Sequence, residues 1–276
     1  MCNYSLSLFN ENASALKPGG CGARQPRCRL THAAKGCLSA SRDAAVTADC
    51  LNRSFRAHSS SPQRGAGVEF HVSGRAIRRG DPARRIAPQL SMANEPDGNG
   101  LIEWHVRAVP DGRFSNHVYR TLKPRDILRI EGPFGTFVLR DTGAPIILLA
   151  SGTGYAPIAA MLKTHAMELA RRGAVLYWGG ARLVDLCAYD EVYAWELAHL
   201  GFRFVPVLSE NEPGWTGRKG GVHEAVAVDF PDLSHHEVYA CGNPLMVGAA
   251  RHTFIQINGL SATNFFSDAF VTRTST

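Results

Sequence analysis

The sequence predicts an α/β chain in which a partial antiparallel β-barrel is followed by a parallel doubly wound domain, behind an irregular N-terminal segment. Three observations carry this expectation. Residues 101–109 (LIEWHVRAV) alternate apolar and polar side chains, the period of a half-buried strand. From Pro145 onward, strand-sized apolar runs alternate with helix-period stretches, as parallel β–α–β units require. Residues 1–60 sustain no period of 2 or 3.6. The expected divisions are an irregular or disordered segment over 1–60, a partial barrel over 61–141 and a doubly wound domain over 142–276.

The elements follow in order. Val68–Val72 reads as one strand, and the basic run RAIRRGDPARR (75–85) is broken by Gly80 and Pro82. After the LIEWHVRAV strand, Gly112 marks a turn, and Phe114–Leu122 reads as a short helix closed by Pro124. Ile127–Ile130 and Thr136–Leu139 read as strands around the turn Gly132-Pro133-Phe134-Gly135. The doubly wound part offers strands at Ile146–Ala150, Val175–Trp178, Arg203–Leu208, Glu237–Cys241 and Asn264–Ser267. Its best helix places Ile158, Met161, Leu162 and Leu169 on one face. Further helices are expected at Glu191–His199, Gly221–Val228 and Leu245–Gln256.

Composition excludes several classes. The 276 residues are 45% hydrophobic, too apolar for a wholly disordered chain. The longest apolar run, Ala144–Ala150, is strand-sized, far from the ~18 residues of a membrane helix. Residues 1–88 hold 14 basic and 5 acidic side chains, whereas residues 89–276 hold 16 and 19, so the first third supplies all of the +6 net charge. No stacking aromatics interleave with those arginines, which argues against nucleic-acid binding. Seven cysteines without a secretory signal point to reduced thiols and a cytoplasmic location. Arg- and Ser-rich residues 22–64 carry only a weak organelle-transit character.

Three constellations could carry chemistry. Ser151-Gly152-Thr153-Gly154-Tyr155-Ala156-Pro157 follows the apolar strand IILLA and opens the best helix. Paired glycines allow a tight turn and close approach of a pyrophosphate, and the helix N-terminus presents unpaired N–H groups. Pro157 suits the first helical turn. The third glycine of the common dinucleotide fingerprint is missing and no acid ends the second strand, which excludes an ordinary Rossmann dehydrogenase. Cys241-Gly242-Asn243-Pro244 ends a second apolar strand. Its thiol either faces a ligand crevice or is a buried structural cysteine. Ser91-Met92-Ala93-Asn94 precedes the LIEWHVRAV strand, where Ser91 is either a hydrogen-bond donor to a ligand or a turn serine.

Together these stretches resemble the ferredoxin–NADP reductase superfamily, in its bacterial oxygenase-reductase and CDP-6-deoxyglucoseen reductase-like branch. SMAN (91–94), LIEWHVR (101–107), GRFSNHV (112–118), EGPFGTF (131–137), SGTGYAP (151–157), YWGGAR (177–182), PVLSE (206–210), WTGRKGGVH (215–223), YACGNPLMV (239–247) and FFSDAF (265–270) occur in family order over about two-thirds of the chain. The resemblance implies an FAD-binding barrel, an NAD(P)-binding domain, and hydride transfer from NAD(P)H to FAD. Electrons then leave to an iron–sulfur protein or oxygenase component, with no membrane or nucleic-acid partner and no metal site in this chain. It places Ser91 at the flavin N5 edge and Glu103, His105 and Val106 along the strand beside the flavin. Arg113, Phe114 and Ser115 meet the FAD pyrophosphate. Gly152, Thr153, Gly154 and Pro157 line the nicotinamide cleft, and Cys241, with Gly242 and Asn243, sits by the nicotinamide. Asp268 or Phe270 closes the flavin face. Ser209 and Glu210 approach the adenosine ribose, where the Glu210 carboxylate repels a 2′-phosphate and favours NADH over NADPH, while Arg182, Arg218 and Lys219 are the cations able to oppose it.

The resemblance stops upstream of Gln89. The family's Arg-x-Tyr/Phe-Ser flavin motif reads Pro88-Gln89-Leu90-Ser91 here, with Arg84 and Arg85 out of register. No convincing barrel strands precede it, so residues 1–88 read as a replaced segment fused to a reductase remnant. The alternative function is therefore an inactive remnant, a nucleotide-binding domain without flavin. Cys21, Cys28, Cys37 and Cys50 are spaced unlike a [2Fe–2S] loop, and no C-x2-C pair suggests zinc.

Overall fold

The computed structural model describes residues 3–5, 52–58, 69–74, 88–95, 101–122 and 127–270. The basic run 75–85, including Arg84 and Arg85, and Cys2, Cys21, Cys28, Cys37 and Cys50 lie outside the described residues. Among the described residues, no helix is long and apolar enough to cross a membrane.

The first sheet is antiparallel and has six strands: β1 (Asn3–Ser5), β2 (Asn52–His58), β3 (Glu69–Gly74), β4 (Gln89–Ser91), β5 (Leu101–Arg107) and β6 (Ile127–Phe134). Their order is β4-β3-β6-β1-β2-β5. The two end strands meet where Met92 bridges Trp104 and the Ala93 N–H donates to the Glu103 carbonyl at 2.8 Å. The barrel therefore closes.

This corrects the sequence expectation in two respects. The 1–60 segment, read as irregular, contributes β1 and β2, and residues 1–88 as a whole supply three of the six strands. In β2 (NRSFRAH) only Phe55 and Ala57 are apolar, too few to register as a period. Its identity comes from pairing instead, from Asn52 opposite Arg107 to His58 opposite Leu101. The expected Gly132-Pro133 turn also lies inside β6. Glu69 of β3 faces Phe134 and His71 faces Glu131, so the surplus residue of β6 falls at Gly132-Pro133. A bulge is where a strand tolerates proline, because no ladder N–H is needed there. Residues 136–139, expected as a strand, form none; Phe137 instead packs edge-to-face on Tyr239 of the second sheet.

After β5 a short helix, α1 (Arg113–Asn116), continues into a π-helical turn over His117–Thr121.

The second sheet is wholly parallel, in the order β10-β9-β8-β7-β11-β12. It comprises β7 (Ile146–Ser151), β8 (Val175–Gly180), β9 (Arg203–Leu208), β10 (Arg218–Lys219), β11 (Glu237–Gly242) and β12 (Phe265–Ala269). Helices α2 (Tyr155–Arg171), α3 (Tyr189–Ala198), α4 (Val222–Asp229) and α5 (Pro244–Gln256) connect them. The strand period sorts the core. Ile146, Leu148 and Ala150 pack with α2 and α3, while Ile147 and Leu149 pack with α4 and α5. All five are fully buried, each Leu or Ile contributing about 2 kcal/mol of hydrophobic stabilisation. The expected helix face of Ile158, Met161, Leu162 and Leu169 is buried. The chain reverses direction across the sheet between β7 and β11, and ligands of such sheets lie beyond the carboxyl ends of the strands at that point.

Candidate active site

The loops after β7 and β11 are locked together. Trp178 Nε1 donates to the Gly152 carbonyl at 2.9 Å, and the Asn243 N–H donates to Ser151 Oγ at 2.9 Å. Asn243 then caps α5, its Oδ1 accepting from the Leu245 N–H at 2.9 Å, with Pro244 at the first helical position. The two motif glycines do different work. Gly154 is closed in: a Cβ there would stand 2.2 Å from the Cys241 carbonyl oxygen. Gly152 adopts φ +53°, and no atom lies within 4 Å of where its Cβ would be, so it faces open space. Gly242 is closed in on one side by Ser151, whose Oγ would lie 2.4 Å from a Cβ there. Thr153 is half-buried and Pro157 buried in the first turns leading into α2.

Three expected reactive residues converge. Cys241 and Asp268 are register neighbours on β11 and β12. Ser91, at the end of β4, donates through Oγ to Asp268 Oδ2 at 3.3 Å, and the Cys241 thiol reaches the same oxygen at 3.9 Å. One carboxylate oxygen thus joins the barrel to the parallel sheet. Phe270 follows, its N–H donating to the Gly242 carbonyl at 2.9 Å.

On β5, Glu103, His105 and Val106 are all buried. Asn94 Oδ1 accepts from the Glu103 N–H at 2.8 Å, and the Glu103 carboxylate lies 3.6 Å from His105 Nε2. The His105 ring stacks on Tyr155 (5.8 Å between centroids), which stacks on Trp178 at 4.0 Å. Burial, then Glu191, Cys187 and Glu103, hold the Tyr155 phenol well above its usual pKa. His105 Nδ1 is buried with no hydrogen-bond partner among the described residues, while Trp104 Nε1, also without one, lies on the opposite face of β5. Buried polar atoms ordinarily have one, so a polar ligand in this crevice fits the residues present. The open face of Gly152 fits it as well.

Other expected residues lie elsewhere. Ser115 on α1 spends its hydroxyl on its own turn, accepting from the Val109 N–H at 3.2 Å and lying 3.1 Å from the Val109 and Gly112 carbonyls. Phe114 is half-buried and Arg113 exposed beside it. Ser209 and Glu210 are exposed beyond β9, separated from β7 by β8, with the Glu210 N–H on the Ala181 carbonyl. Of the expected counter-cations, Arg218 is paired with Asp229, Lys219 Nζ lies 3.5 Å from Asn211 Oδ1, and Arg182 is exposed. In the flavin motif, Pro88 and Leu90 are half-buried. Sequence reasoning left Tyr155, Trp178 and Ser151 without roles. Tyr155 and Ser151 lie within SGTGYAP and Trp178 within YWGGAR, so position in the motifs was the available signal.

The comparisons with known proteins agree with this arrangement. Residues 47–139 match the Oxidoreductase FAD-binding domain family and residues 148–252 the Oxidoreductase NAD-binding domain family. The first match begins well upstream of Gln89. CDP-6-deoxy-L-threo-D-glycero-4-hexulose-3-dehydrase reductase of Yersinia pestis is 46% identical over 181 residues, covering 66% of this chain and 54% of that protein. The chain therefore spans about half the length of that relative. NAD(P)H-flavin reductase of Aliivibrio fischeri is 33% identical over 66% of this chain and 79% of that protein. The crystal structure of the Amycolatopsis cytochrome P450 reductase GcoB superposes with a TM-score of 0.70 at 29% identity, covering 80% of this chain and 65% of that one. A closed barrel with an FAD-domain match, a doubly wound sheet with an NAD-domain match, and Ser91 and Asp268 in contact between them identify the chain as a member of the FAD- and NAD-binding oxidoreductases of the ferredoxin-reductase type.

Proposed function

We propose that the chain passes electrons from NADH through FAD to an iron–sulfur protein or oxygenase component. The observation that carries this reading is the shared Asp268 carboxylate oxygen, which brings Ser91 of the barrel and Cys241 of the parallel sheet to one point. The redox chemistry belongs to the bound flavin and nicotinamide, between which a hydride passes. The chain's own work is placement. Gly152 leaves the crevice open above β7, and Gly154 seats α2 against β11. His105 Nδ1 offers a buried hydrogen-bonding atom beside it. The Ser91 hydroxyl and the Cys241 thiol both direct protons at Asp268, so that carboxylate orients two groups at once.

A preference for NADH rests on the Glu210 carboxylate at the end of β9 and on Arg218 being held by Asp229. A protein acceptor is supported by the relatives' names, which describe reductases of a dehydrase and of a cytochrome P450. Within this reading the flavin domain ends near residue 141 and the nucleotide domain follows. A cytoplasmic location belongs to the same proposal. The alternative of a flavin-free remnant loses its motive, because the barrel strands it found missing are present in residues 1–88.

The experiment is an absorption spectrum of the purified chain with FAD and then NADH, under anaerobic conditions. Retained flavin absorbance that bleaches with NADH is expected, and Ser91→Ala and Asp268→Asn should slow the bleaching while flavin stays bound. A chain that retains no flavin with excess FAD overturns the proposal.

A further inference from the structure

Beneath the Ser91–Asp268–Cys241 contact lies a buried polar cluster with no part in it. Arg172, just after α2, and Glu237, at the start of β11, form an ion pair of 2.7 Å with side chains 0% and 3% exposed. Glu237 Oε2 also accepts from Tyr239 Oη at 2.9 Å, and Oε1 accepts from Thr142 Oγ1 at 2.8 Å. The rest of the cluster reaches the segment joining barrel to sheet. Arg172 donates through Nη1 to the Arg140 carbonyl at 2.8 Å, through Nε to the Ala144 carbonyl, and through Nη2 to Thr142 Oγ1 at 3.2 Å. The Arg140 N–H donates to Tyr239 Oη at 2.9 Å. Arg140, Thr142 and Ala144 are thus tied to Arg172, and Arg140 and Thr142 also to β11 of the parallel sheet.

The same cluster connects upward. Strand period 2 puts Glu237, Tyr239 and Cys241 on one face of β11, and Phe266 and Asp268 on one face of β12. Tyr239 stacks on Phe266 at 4.9 Å, and the Arg140 guanidinium lies 5.3 Å from the Phe266 ring centre. The connector is thereby fixed one residue pair below Cys241 and Asp268.

We propose that Arg172, Glu237, Tyr239 and Thr142 are positioning residues. They clamp the 140–144 connector onto β11 and β12, and so keep Ser91 of the barrel closed on Asp268 and Cys241. The connector is not a hinge; the clamp sets how often the crevice opens. The clamp itself rests on geometry alone, while its consequence for hydride transfer rests on the function proposed above.

Two mild variants test it in the full chain. Tyr239→Phe keeps the ring that stacks on Phe266 and removes only the hydroxyl. Thr142→Val removes one exposed connector hydroxyl. The first readout is the rate at which a small alkylating reagent labels Cys241, followed by mass spectrometry of its peptide, with half-buried Cys187 as internal reference. Cys241 is fully buried under the contact, so labelling reports opening. Each variant should raise the Cys241 rate about thirtyfold, the equilibrium factor of the two internal hydrogen bonds that each hydroxyl makes within the cluster, and leave Cys187 unchanged. Equal acceleration of both thiols means general loosening and overturns the proposal, as does no change at Cys241. With FAD loaded, the loss should fall on kcat rather than on the KM for NADH. If wild-type chain oxidises no NADH, the proposed function fails while the labelling result still decides the clamp.

Discussion

Two glycines of one motif should respond to the same substitution with losses of very different size. In Gly154→Ala the new Cβ would stand 2.2 Å from the Cys241 carbonyl oxygen, 2.5 Å from its carbon and 2.6 Å from the Gly242 Cα. Carbon atoms rest at about 3.5–4.0 Å, so backbone on the two sides must part by roughly 1 Å. No flexible side chain stands there to yield. Overpacking typically costs about 1–3 kcal/mol; a clash with backbone belongs at the top of that range, about 3 kcal/mol. In Gly152→Ala the Cβ meets nothing, and the penalty is only that of a left-handed residue at φ +53°, about 1 kcal/mol. The difference, about 2 kcal/mol, is roughly thirtyfold in the folding equilibrium. Urea unfolding followed by tryptophan fluorescence reads it, since Trp178 is bonded to Gly152 itself. Binding of ADP, measured by calorimetry on the same samples, reads the crevice. Gly154→Ala should unfold at clearly lower urea than Gly152→Ala and lose ADP binding. Equal midpoints for the two variants would refute the assignment of Gly154 to the seam between α2 and β11.

Arg172→Met should destabilise by about 3–5 kcal/mol, because it leaves Glu237 buried without its cation, and Arg172→Met with Glu237→Leu should recover part of that in urea unfolding; a single variant as stable as wild type would contradict the clamp. Alkaline pH should destabilise the fold. Burial, chiefly, raises the phenol pKa of Tyr155, Tyr177 and Tyr239, so above about pH 10 the unfolded chain holds fewer protons and stability falls as pH rises. Tyr177→Phe should flatten that decline in pH-dependent melting, and an unchanged slope would exclude Tyr177 as a contributor. Glu210→Ala should tighten 2′,5′-ADP relative to ADP severalfold in calorimetry, as removal of about 1 kcal/mol of like-charge repulsion implies; an unchanged ratio would mean that Glu210 does not face the ribose.

The legibility of this chain followed the density of local signal. The parallel sheet could be read because β7 and β11 are buried on both faces, so IILLA and VYAC are continuous apolar runs bounded by glycine. The barrel could not, because its strands are specified by partners far along the chain. β2 carries two apolar residues and finds its register against β5, some fifty residues on, while β1 pairs with β6 more than a hundred residues away. Composition therefore misled: a basic, cysteine-rich segment looked foreign although its strands close the sheet. The reactive trio was legible residue by residue, since Ser91, Cys241 and Asp268 each end or nearly end a strand, but only the fold puts one oxygen between all three. Glu237 illustrates what lies between. An acid opening the apolar strand EVYACG has two available explanations, an exposed strand end or a buried charge with a partner. Local sequence cannot choose, because the partner, Arg172, is 65 positions away. That separation also makes the pair informative: a buried charge retained so far from its partner ties together segments that hydrophobic packing alone would leave free to slide.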